Sequence, residues 1–405
     1  MSTAVQRTRG PRGSGARRQV GIGVIGLGWL GHAHSRSMQR IRTHFEDRTF
    51  DPVLAHCADT VPARLDEALG SFGFASASAD WRAVIDDPAV EVVVITAPNM
   101  LHLELIEAAA QAGKHVFCEK PVGGTPAQTA RAELLTRQAG VITGVGYNYR
   151  WAPLVRYAKQ QLEAGALGTL TNYRGRFFSM YGADPLGLLS WRFRIDEGGY
   201  GVTSDLLSHA VDLAHFLIGP ITRLVGTVET FIRERPLATP GAGHYSRGRP
   251  EDPRGEVTNE DYAAVLCEFA DGTRGTFEAS RAIVGPESQM AFDVYGTEGA
   301  MGWNLEDLNR LRHYRRTDDP SSGYTTVYGG DRFPYHGAFV PGAANGIGFE
   351  DLIVIEDLEY LRAVVEERPY EVGFEQALEW VSVQAALLRS VESGSWENVV
   401  SLREE

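Results

Sequence analysis

Three polar side chains stand where proton-transfer chemistry would need them. Lys120 follows the apolar run His115–Cys118 and is one of only three lysines in a chain that otherwise uses arginine. In proteins of alternating strands and helices, ligands bind beyond the carboxyl ends of the strands, so Lys120 is a candidate active-site residue, with a solvated loop lysine as the alternative. Asp205 and His209 are four positions apart and would share one helix face. A carboxylate beside an imidazole can raise its basicity, although a histidine in such an apolar segment is more often a hydrogen-bonded core residue.

A glycine-rich loop near the N-terminus predicts a dinucleotide site. Its three glycines follow the apolar run Val20–Ile25 and precede a predicted helix. Gly26 permits a tight turn, Gly28 lets the backbone approach a pyrophosphate, and Gly31 lets helix and strand pack closely. The helix N-terminus adds N–H donors and a partial positive charge. The residues predicted to hold the dinucleotide here are Gly26, Gly28, Trp29, Leu30 and Gly31.

An acidic residue after the second predicted strand indicates which dinucleotide is bound. Asp59 follows the run Val53–Cys57, where a carboxylate could bind both ribose hydroxyls of the adenosine. It lies farther from the glycine loop than the usual ~20 residues, and the polar segment Thr43–Thr49 accounts for the excess. A carboxylate would repel a 2′-phosphate, so NAD is favoured over NADP. Arg64 keeps NADP open, and Asp59 could instead be a turn residue or helix cap.

Two domains follow from the order of the predicted elements. Between residues 19 and 146, short β-branched runs alternate with helical segments, which predicts an α/β domain with a parallel sheet covered on both faces. After Tyr147 the pattern changes to strands joined by glycine-containing turns, with a helix at Thr203–Leu217 and two more near the end. Residues 147–405 are therefore predicted to form an α+β domain with a large, mostly antiparallel sheet. The segment 236–255 reads as a long loop, either functional or mobile.

Composition excludes several classes of protein. A net charge of −13 argues against a large nucleic-acid or anionic-membrane surface, and no apolar run approaches the ~20 residues that cross a bilayer. Residues 1–18 read as a disordered basic tail, with an RNA-binding or targeting role as the alternative, and not as a secretory signal. The three cysteines are scattered, which argues against disulfides or structural zinc and favours a reducing, cytoplasmic location.

Several further motifs are more specific to one protein family than the glycine loop is. They are Thr96-Ala97-Pro98-Asn99-Met100-Leu101-His102, the run from Gly113 through Glu119-Lys120-Pro121, Asn148-Tyr149-Arg150, Gly198-Gly199, and Asp205 through His209 to Asp212. In this order, from about residue 20 to residue 390, they resemble the glucose–fructose oxidoreductase / inositol dehydrogenase (Gfo/Idh/MocA) family. The resemblance implies a Rossmann domain followed by a second domain, whose open sheet forms one side of the substrate site. It also implies hydride transfer between nicotinamide and a secondary alcohol or ketone of a sugar or polyol, no metal, and a homodimer or homotetramer.

The resemblance also implies roles for individual residues. Lys120 would hydrogen-bond the reacting oxygen and tune the proton transfer. His209 would be the general base, with Asp205 orienting it or the substrate, while Asp212 would be structural support. Residues that could contact ligand or only pack are, on the cofactor side, Thr96, Pro98, Asn99, His102 and Glu119, and on the substrate side, Tyr149, Arg150, Trp191 and Arg192.

The leading hypothesis is an NAD-dependent dehydrogenase of a cyclic polyol, meaning an inositol, a sugar or an anhydrosugar such as levoglucosan. The segment 236–255 and the sequence Ser280–Asn304 favour the inositol and levoglucosan side of the family. A ketosugar reductase using NADPH and a non-catalytic dinucleotide sensor are the alternatives.

Overall fold

The computed structural model describes residues 17–238, 246–320 and 322–403. Most of the tail predicted for residues 1–18 lies outside the described residues. Its last residue does not belong to a tail, because Arg18 begins the first strand and pairs with Glu91 at 2.7 Å.

The first part of the chain forms a six-stranded sheet in which all paired strands are parallel. Its strands are β1 (Arg18–Ile25), β2 (Phe50–Ala58), β3 (Ser76–Ser78), β4 (Val92–Ile95), β5 (His115–Cys118) and β6 (Thr143–Val145). Its helices are α1 (Trp29–His44), α2 (Pro62–Glu67), α3 (Arg82–Asp86), α4 (His102–Gln111) and α5 (Pro126–Ala139). The strand order is β3-β2-β1-β4-β5-β6, so the order reverses between β1 and β4. Ligand sites of such sheets lie at that reversal, beyond the carboxyl ends of the strands.

The second part is built on a nine-stranded sheet. Its order is β16-β15-β14-β13-β7-β12-β11-β8-β17, and every pairing is antiparallel except that of β7 with β12. The strands are β7 (Leu170–Ser179), β8 (Ile221–Glu229), β11 (Tyr262–Phe269), β12 (Arg274–Ser280), β13 (Ser288–Gly296), β14 (Gly299–Asn304), β15 (Arg310–Arg315), β16 (Thr325–Tyr328) and β17 (Glu397–Asn398). A separate pair, β9 (Glu234–Pro236) and β10 (Arg254–Glu256), closes the ends of the predicted 236–255 loop, of which residues 239–245 lie outside the described residues.

Helices of the second part connect the nine-stranded sheet to the first domain. They are α6 (Pro153–Glu163), α7 (Ile195–Gly198), α8 (Val202–Asp205), α9 (Leu207–Leu217), α10 (His336–Phe339), α11 (Phe349–Val365) and α12 (Phe374–Ser393). Helix α9 lies against β7, and α12 lies against both β8 and α5. Helix α11 packs on α1 of the first domain, so one hydrophobic core runs through both parts of the chain.

The helix predicted over Thr203–Leu217 is interrupted. Helix α8 ends at Asp205 and α9 begins at Leu207. The carbonyl of Asp205, which would continue the helical ladder, accepts a hydrogen bond from Lys120 Nζ at 2.9 Å. The interruption is the single residue Leu206, and Lys120 binds the Asp205 carbonyl at the point where the two helices meet.

Two observations complete the fold. Among the described residues, no helix is both long and apolar enough to cross a membrane. Cys57, Cys118 and Cys267 are buried free thiols.

Candidate active site at the edge of the first sheet

The glycine loop at the end of β1 is shaped for an anionic ligand. Gly26 has φ +95°, which a side chain would strain, and a Cβ at Gly31 would lie 2.0 Å from the Gly26 carbonyl oxygen. A Cβ at Gly28 would meet nothing within 4 Å, so the backbone there faces open space. Helix α1 starts directly after Gly28 with no side-chain cap and no acidic residue in its first turn. Its first N–H groups are thus available to a pyrophosphate, and the loop fits a dinucleotide.

Asp59 lies beside this loop, at the end of β2. Its Oδ2 accepts the N–H of Leu27 at 2.7 Å and lies 3.2 Å from Arg64 Nη1, and its Oδ1 accepts the N–H of Val61 at 2.9 Å. The residue is therefore both a turn residue, as one reading of the sequence expects, and a carboxylate next to the dinucleotide loop. Arg64 is about half exposed on the outer side of the pair.

Lys120 and Asp205 form an ion pair across the two domains. Lys120 Nζ lies 2.6 Å from Asp205 Oδ1 and 2.9 Å from the Asp205 carbonyl oxygen. Tyr181 donates its hydroxyl to Asp205 Oδ2 at 2.9 Å. Burial opposes the charge on Asp205, but Lys120 and Arg192 hold the pKa of its carboxyl well below the ordinary value. The carboxylate is thus ionised and fixes the lysine. Tyr181 is a site residue that the sequence did not single out, because it lies in a loop between β7 and α7 without a local motif.

His209 is close to this pair. Its ring packs against Tyr149 at 4.7 Å and Phe177 at 5.8 Å between centroids. Its Nδ1 is buried and, among the described residues, has no hydrogen-bond partner. Burial, together with the positive charge of Lys120, holds the pKa of His209 well below its ordinary value, so the imidazole is neutral. Among the described residues Asp205 makes no hydrogen bond to His209, since its carboxylate oxygens bind Lys120 and Tyr181. Orientation of the substrate by Asp205 stays a prediction.

Of the predicted substrate residues, Tyr149 reaches the site and Arg150 does not. The buried ring of Tyr149 packs on His209, whereas the guanidinium of Arg150 is buried in the core. It binds both carboxylate oxygens of Asp212, with Nε 3.1 Å from Oδ2, and lies 5.1 Å from the ring centroid of Phe216. Arg150 is therefore a structural residue and the prediction that it contacts substrate is wrong. Asp212 has the supporting position expected for it.

The segment after β4 contains one further correction. Thr96 Oγ1 donates to the carbonyl of Gly26, which ties this segment to the glycine loop, and Pro98 is exposed ahead of Asn99. Asn99 Nδ2 donates to the Gly198 carbonyl at 2.9 Å. His102 is buried, and its two ring nitrogens lie 2.8 Å from the backbone oxygens of Pro121 and Ala97. It braces two backbone segments, so it is not placed to contact a cofactor ribose.

The remaining candidates are Trp29, Leu30, Trp191, Arg192 and Glu119. Trp29 is 63% exposed and stacks on Phe349 of α11 at 5.6 Å, while Leu30 is half-buried. Trp191 and Arg192 are half-buried, with the guanidinium 4.4 Å from the indole centroid. Glu119 is buried next to Lys120.

Comparison with known proteins agrees with this arrangement. Residues 20–147 match the profile described as oxidoreductase family, NAD-binding Rossmann fold, and residues 155–302 match the GFO/IDH/MocA C-terminal domain. A levoglucosan dehydrogenase of Pseudarthrobacter phenanthrenivorans is 33% identical over 384 residues, which is 94% of this chain and 98% of that protein. The NAD⁺-dependent scyllo-inositol 2-dehydrogenase of Bacillus subtilis is 30% identical over 74% of this chain and 76% of that protein.

Solved structures of related dehydrogenases have the same fold as this chain. A levoglucosan dehydrogenase in complex with NADH and levoglucosan has a TM-score of 0.88 at 32% identity, covering 94% of this chain and 100% of that chain. The fold class and the NAD cofactor predicted from the sequence are confirmed, and the individual cofactor-binding residues stay predictions. The chain belongs to the Gfo/Idh/MocA oxidoreductase family, as its motifs predicted.

Proposed function

We propose that this protein is an NAD-dependent dehydrogenase that oxidises a secondary hydroxyl of a cyclic polyol, with an anhydrosugar of the levoglucosan type as the first candidate and inositols as the second. The observation that carries the proposal is the Lys120–Asp205 ion pair beside a neutral, buried His209. The names of the relatives, a levoglucosan dehydrogenase and inositol dehydrogenases, support the substrate class.

Lys120 would bind the hydroxyl that reacts. An ammonium group has three N–H donors. Two of them are directed at the carboxylate and carbonyl oxygens of Asp205. The third remains for the substrate oxygen, where it stabilises the negative charge that develops as the hydroxyl loses its proton.

His209 would take that proton. A base must be unprotonated to act, and the low pKa of His209 keeps it so at neutral pH. A bound NAD, held by the glycine loop and Asp59, supplies the hydride acceptor. On the cofactor side, the proposed site also contains Thr96, Asn99 and Glu119. On the substrate side, a polyol ring would contact the aromatic and cationic side chains of Tyr149, Trp191 and Arg192.

The open face of the nine-stranded sheet supports a homodimer or homotetramer. Leu266 and Trp396 are 53% and 44% exposed there, and they border a concave area with Arg174 and Tyr295. Burying such apolar side chains between copies is favourable. The buried free thiols support the cytoplasmic location that we also propose.

The test is nicotinamide reduction by the purified protein, with NAD and NADP separately, across levoglucosan, inositols and aldoses. Steady turnover of one cyclic polyol with NAD is the expected result. Lys120→Ala should lower kcat by at least about 10²-fold while NADH binding stays within about threefold, and Lys159→Ala, a surface lysine paired with Glu163, should change neither. NADH binding without turnover of any substrate would favour a sensor, and turnover only of ketosugars with NADPH would favour a reductase.

A further inference from the structure

A buried histidine links the C-terminal helices to the segment that carries Lys120. His34 lies on α1 and is 0% exposed. Its Nδ1 is 2.9 and 3.0 Å from the two carboxylate oxygens of Asp357 on α11, and its Nε2 is 3.2 Å from Glu119 Oε1. The ring of Phe117 packs edge-on against the imidazole at 5.1 Å between centroids.

The surroundings of His34 favour its charged form. A neutral imidazole has one N–H, so only the imidazolium can donate to both carboxylates. Burial opposes the charge, but Asp357 and Glu119 together raise the pKa of His34 well above its ordinary value. The other acidic group near the ring is Glu356 of α11, which is fully buried. Burial and the charges of Glu119 and Asp357 raise the pKa of Glu356, which favours its neutral form. His34 is thus the cation between the side chains of Asp357 and Glu119.

Glu119 transmits this contact to the active-site lysine. Its second oxygen, Oε2, accepts the backbone N–H of Lys120 at 3.2 Å. The chain packs closely on the same carboxylate, since a Cβ at Gly146 would lie 2.7 Å from it. A continuous series of polar contacts therefore runs from Asp357 through His34 and Glu119 to Lys120.

We propose that His34 is a positioning residue for the dehydrogenase reaction. Anchored by Asp357, it fixes the carboxylate of Glu119, and through it the backbone from which Lys120 reaches Asp205. The kinetic part of this inference rests on the proposed function. A displacement of a reacting group by 1 Å can cost about 10²-fold in rate, so a side chain that touches neither substrate nor Asp205 can still control kcat.

Two conservative variants separate the two contacts of His34. The amide nitrogen of asparagine stands near the position of Nδ1, and that of glutamine near the position of Nε2. His34→Gln keeps a donor for Glu119 and should retain kcat within about tenfold of wild type, whereas His34→Asn keeps only the donor for Asp357 and should lose about 10²-fold. The KM for NAD should change by less than about threefold in both. The matched control is His56→Gln, which moves the donor away from the Nδ1 position and so removes a histidine–carboxylate pair of 2.9 Å with Asp87 in the same domain; it should leave kcat unchanged.

A second readout needs neither substrate nor cofactor. The chain has three lysines, so acylation of the ligand-free protein can be followed by mass spectrometry at Lys114, Lys120 and Lys159 separately. If His34 positions the segment, His34→Asn should raise the acylation rate of Lys120 by about tenfold and leave the other two within about twofold. Lys114 reports on general loosening of the first domain, because its Nζ binds the carbonyls of Asp87 and Val90.

The outcomes distinguish the inference from the proposed function. Equal rises at Lys114 and Lys120, or His34→Gln losing as much kcat as His34→Asn, would mean that His34 only stabilises the fold and would overturn the inference. Wild-type kcat in His34→Asn would also overturn it. Absence of turnover in the wild-type protein would refute the proposed function, and the acylation pattern would still decide the role of His34.

Discussion

Replacing Asp205 by asparagine tests the proposed site at its central contact. The change removes one negative charge and keeps the shape of the side chain. Lys120 Nζ loses its 2.6 Å partner but keeps the carbonyl oxygen of residue 205 at 2.9 Å. Breaking a buried ion pair from one side costs about 3–5 kcal/mol. The two side chains are 13% and 24% exposed, so the lower end, about 3 kcal/mol, applies.

That cost lowers the stability of the fold, and the kinetic effect has a separate origin. Without its carboxylate partner Lys120 is no longer held in position for the substrate oxygen, and a displacement of about 1 Å lowers kcat/KM by about 10²-fold. A second effect acts in the same direction. Asp205 raises the pKa of His209, while the charge of Lys120 lowers it. Without the carboxylate the pKa of His209 falls further, and a weaker base accepts the substrate proton less readily.

The assay is kcat/KM with the polyol found in the substrate screen, together with the melting temperature. Asp51→Asn is the matched control, because Asp51 also pairs at 2.6 Å with a cation, Arg48, and the two side chains are 15% and 6% exposed. It should lower the melting temperature and leave kcat/KM within about twofold. If Asp205→Asn keeps kcat/KM within about threefold, or if both variants lose it equally, the assignment of Lys120 and Asp205 to the site is refuted.

Three more predictions concern the base and the cofactor. Because the pKa of His209 is well below 6.5, its neutral form persists as the pH falls, and the acid limb of the pH profile of kcat/KM should have its midpoint below 6.5. A midpoint at or above 6.5 would contradict the assignment of His209 as the base. A Cβ at Gly28 meets no protein atom within 4 Å, so Gly28→Ala should keep the melting temperature but weaken NADH binding at least about tenfold, whereas Gly31→Ala should lower the melting temperature. Calorimetry measures both quantities, and a lower melting temperature in Gly28→Ala than in Gly31→Ala would contradict this reading of the loop. Asp59→Ala leaves Arg64 without its carboxylate partner and should lower the NAD/NADP ratio of kcat/KM at least about tenfold, and an unchanged ratio would show that Asp59 only braces the loop.

Much of the fold could be predicted from the sequence because its signals are local. Strand β5 has the bounds of the predicted run His115–Cys118, and the predicted runs Val20–Ile25 and Val53–Cys57 lie within β1 and β2. The short strand β3 was missed, since three residues carry no readable alternation. Strand β15 was also missed, because its sequence Arg310–Arg315 is rich in arginine and polar on its open side.

The site was predicted only in part, and its errors have a common cause. Lys120, His209 and the glycine loop belong to local motifs. Lys120 and the glycine loop lie at the predicted edge of the first sheet, and His209 lies on α9 of the second domain. Arg150 belongs to such a motif too, but its partner Asp212 is 62 positions away and draws the guanidinium into the core. Periodicity alone does not reveal which long-range partner a charged side chain will find.

The sequence by itself determined the order of the domains, the dinucleotide loop and the family, because each depends on spacing that survives without tertiary contacts. The tertiary structure decided how the reactive groups are paired. It placed Lys120 on Asp205 and interrupted a predicted helix there, brought Tyr181 to the carboxylate, and left His209 neutral in an aromatic pocket. It also set His34 between carboxylates 85 and 323 positions away in the chain. Burial and charge partners fix protonation and orientation, and both are properties of the folded chain.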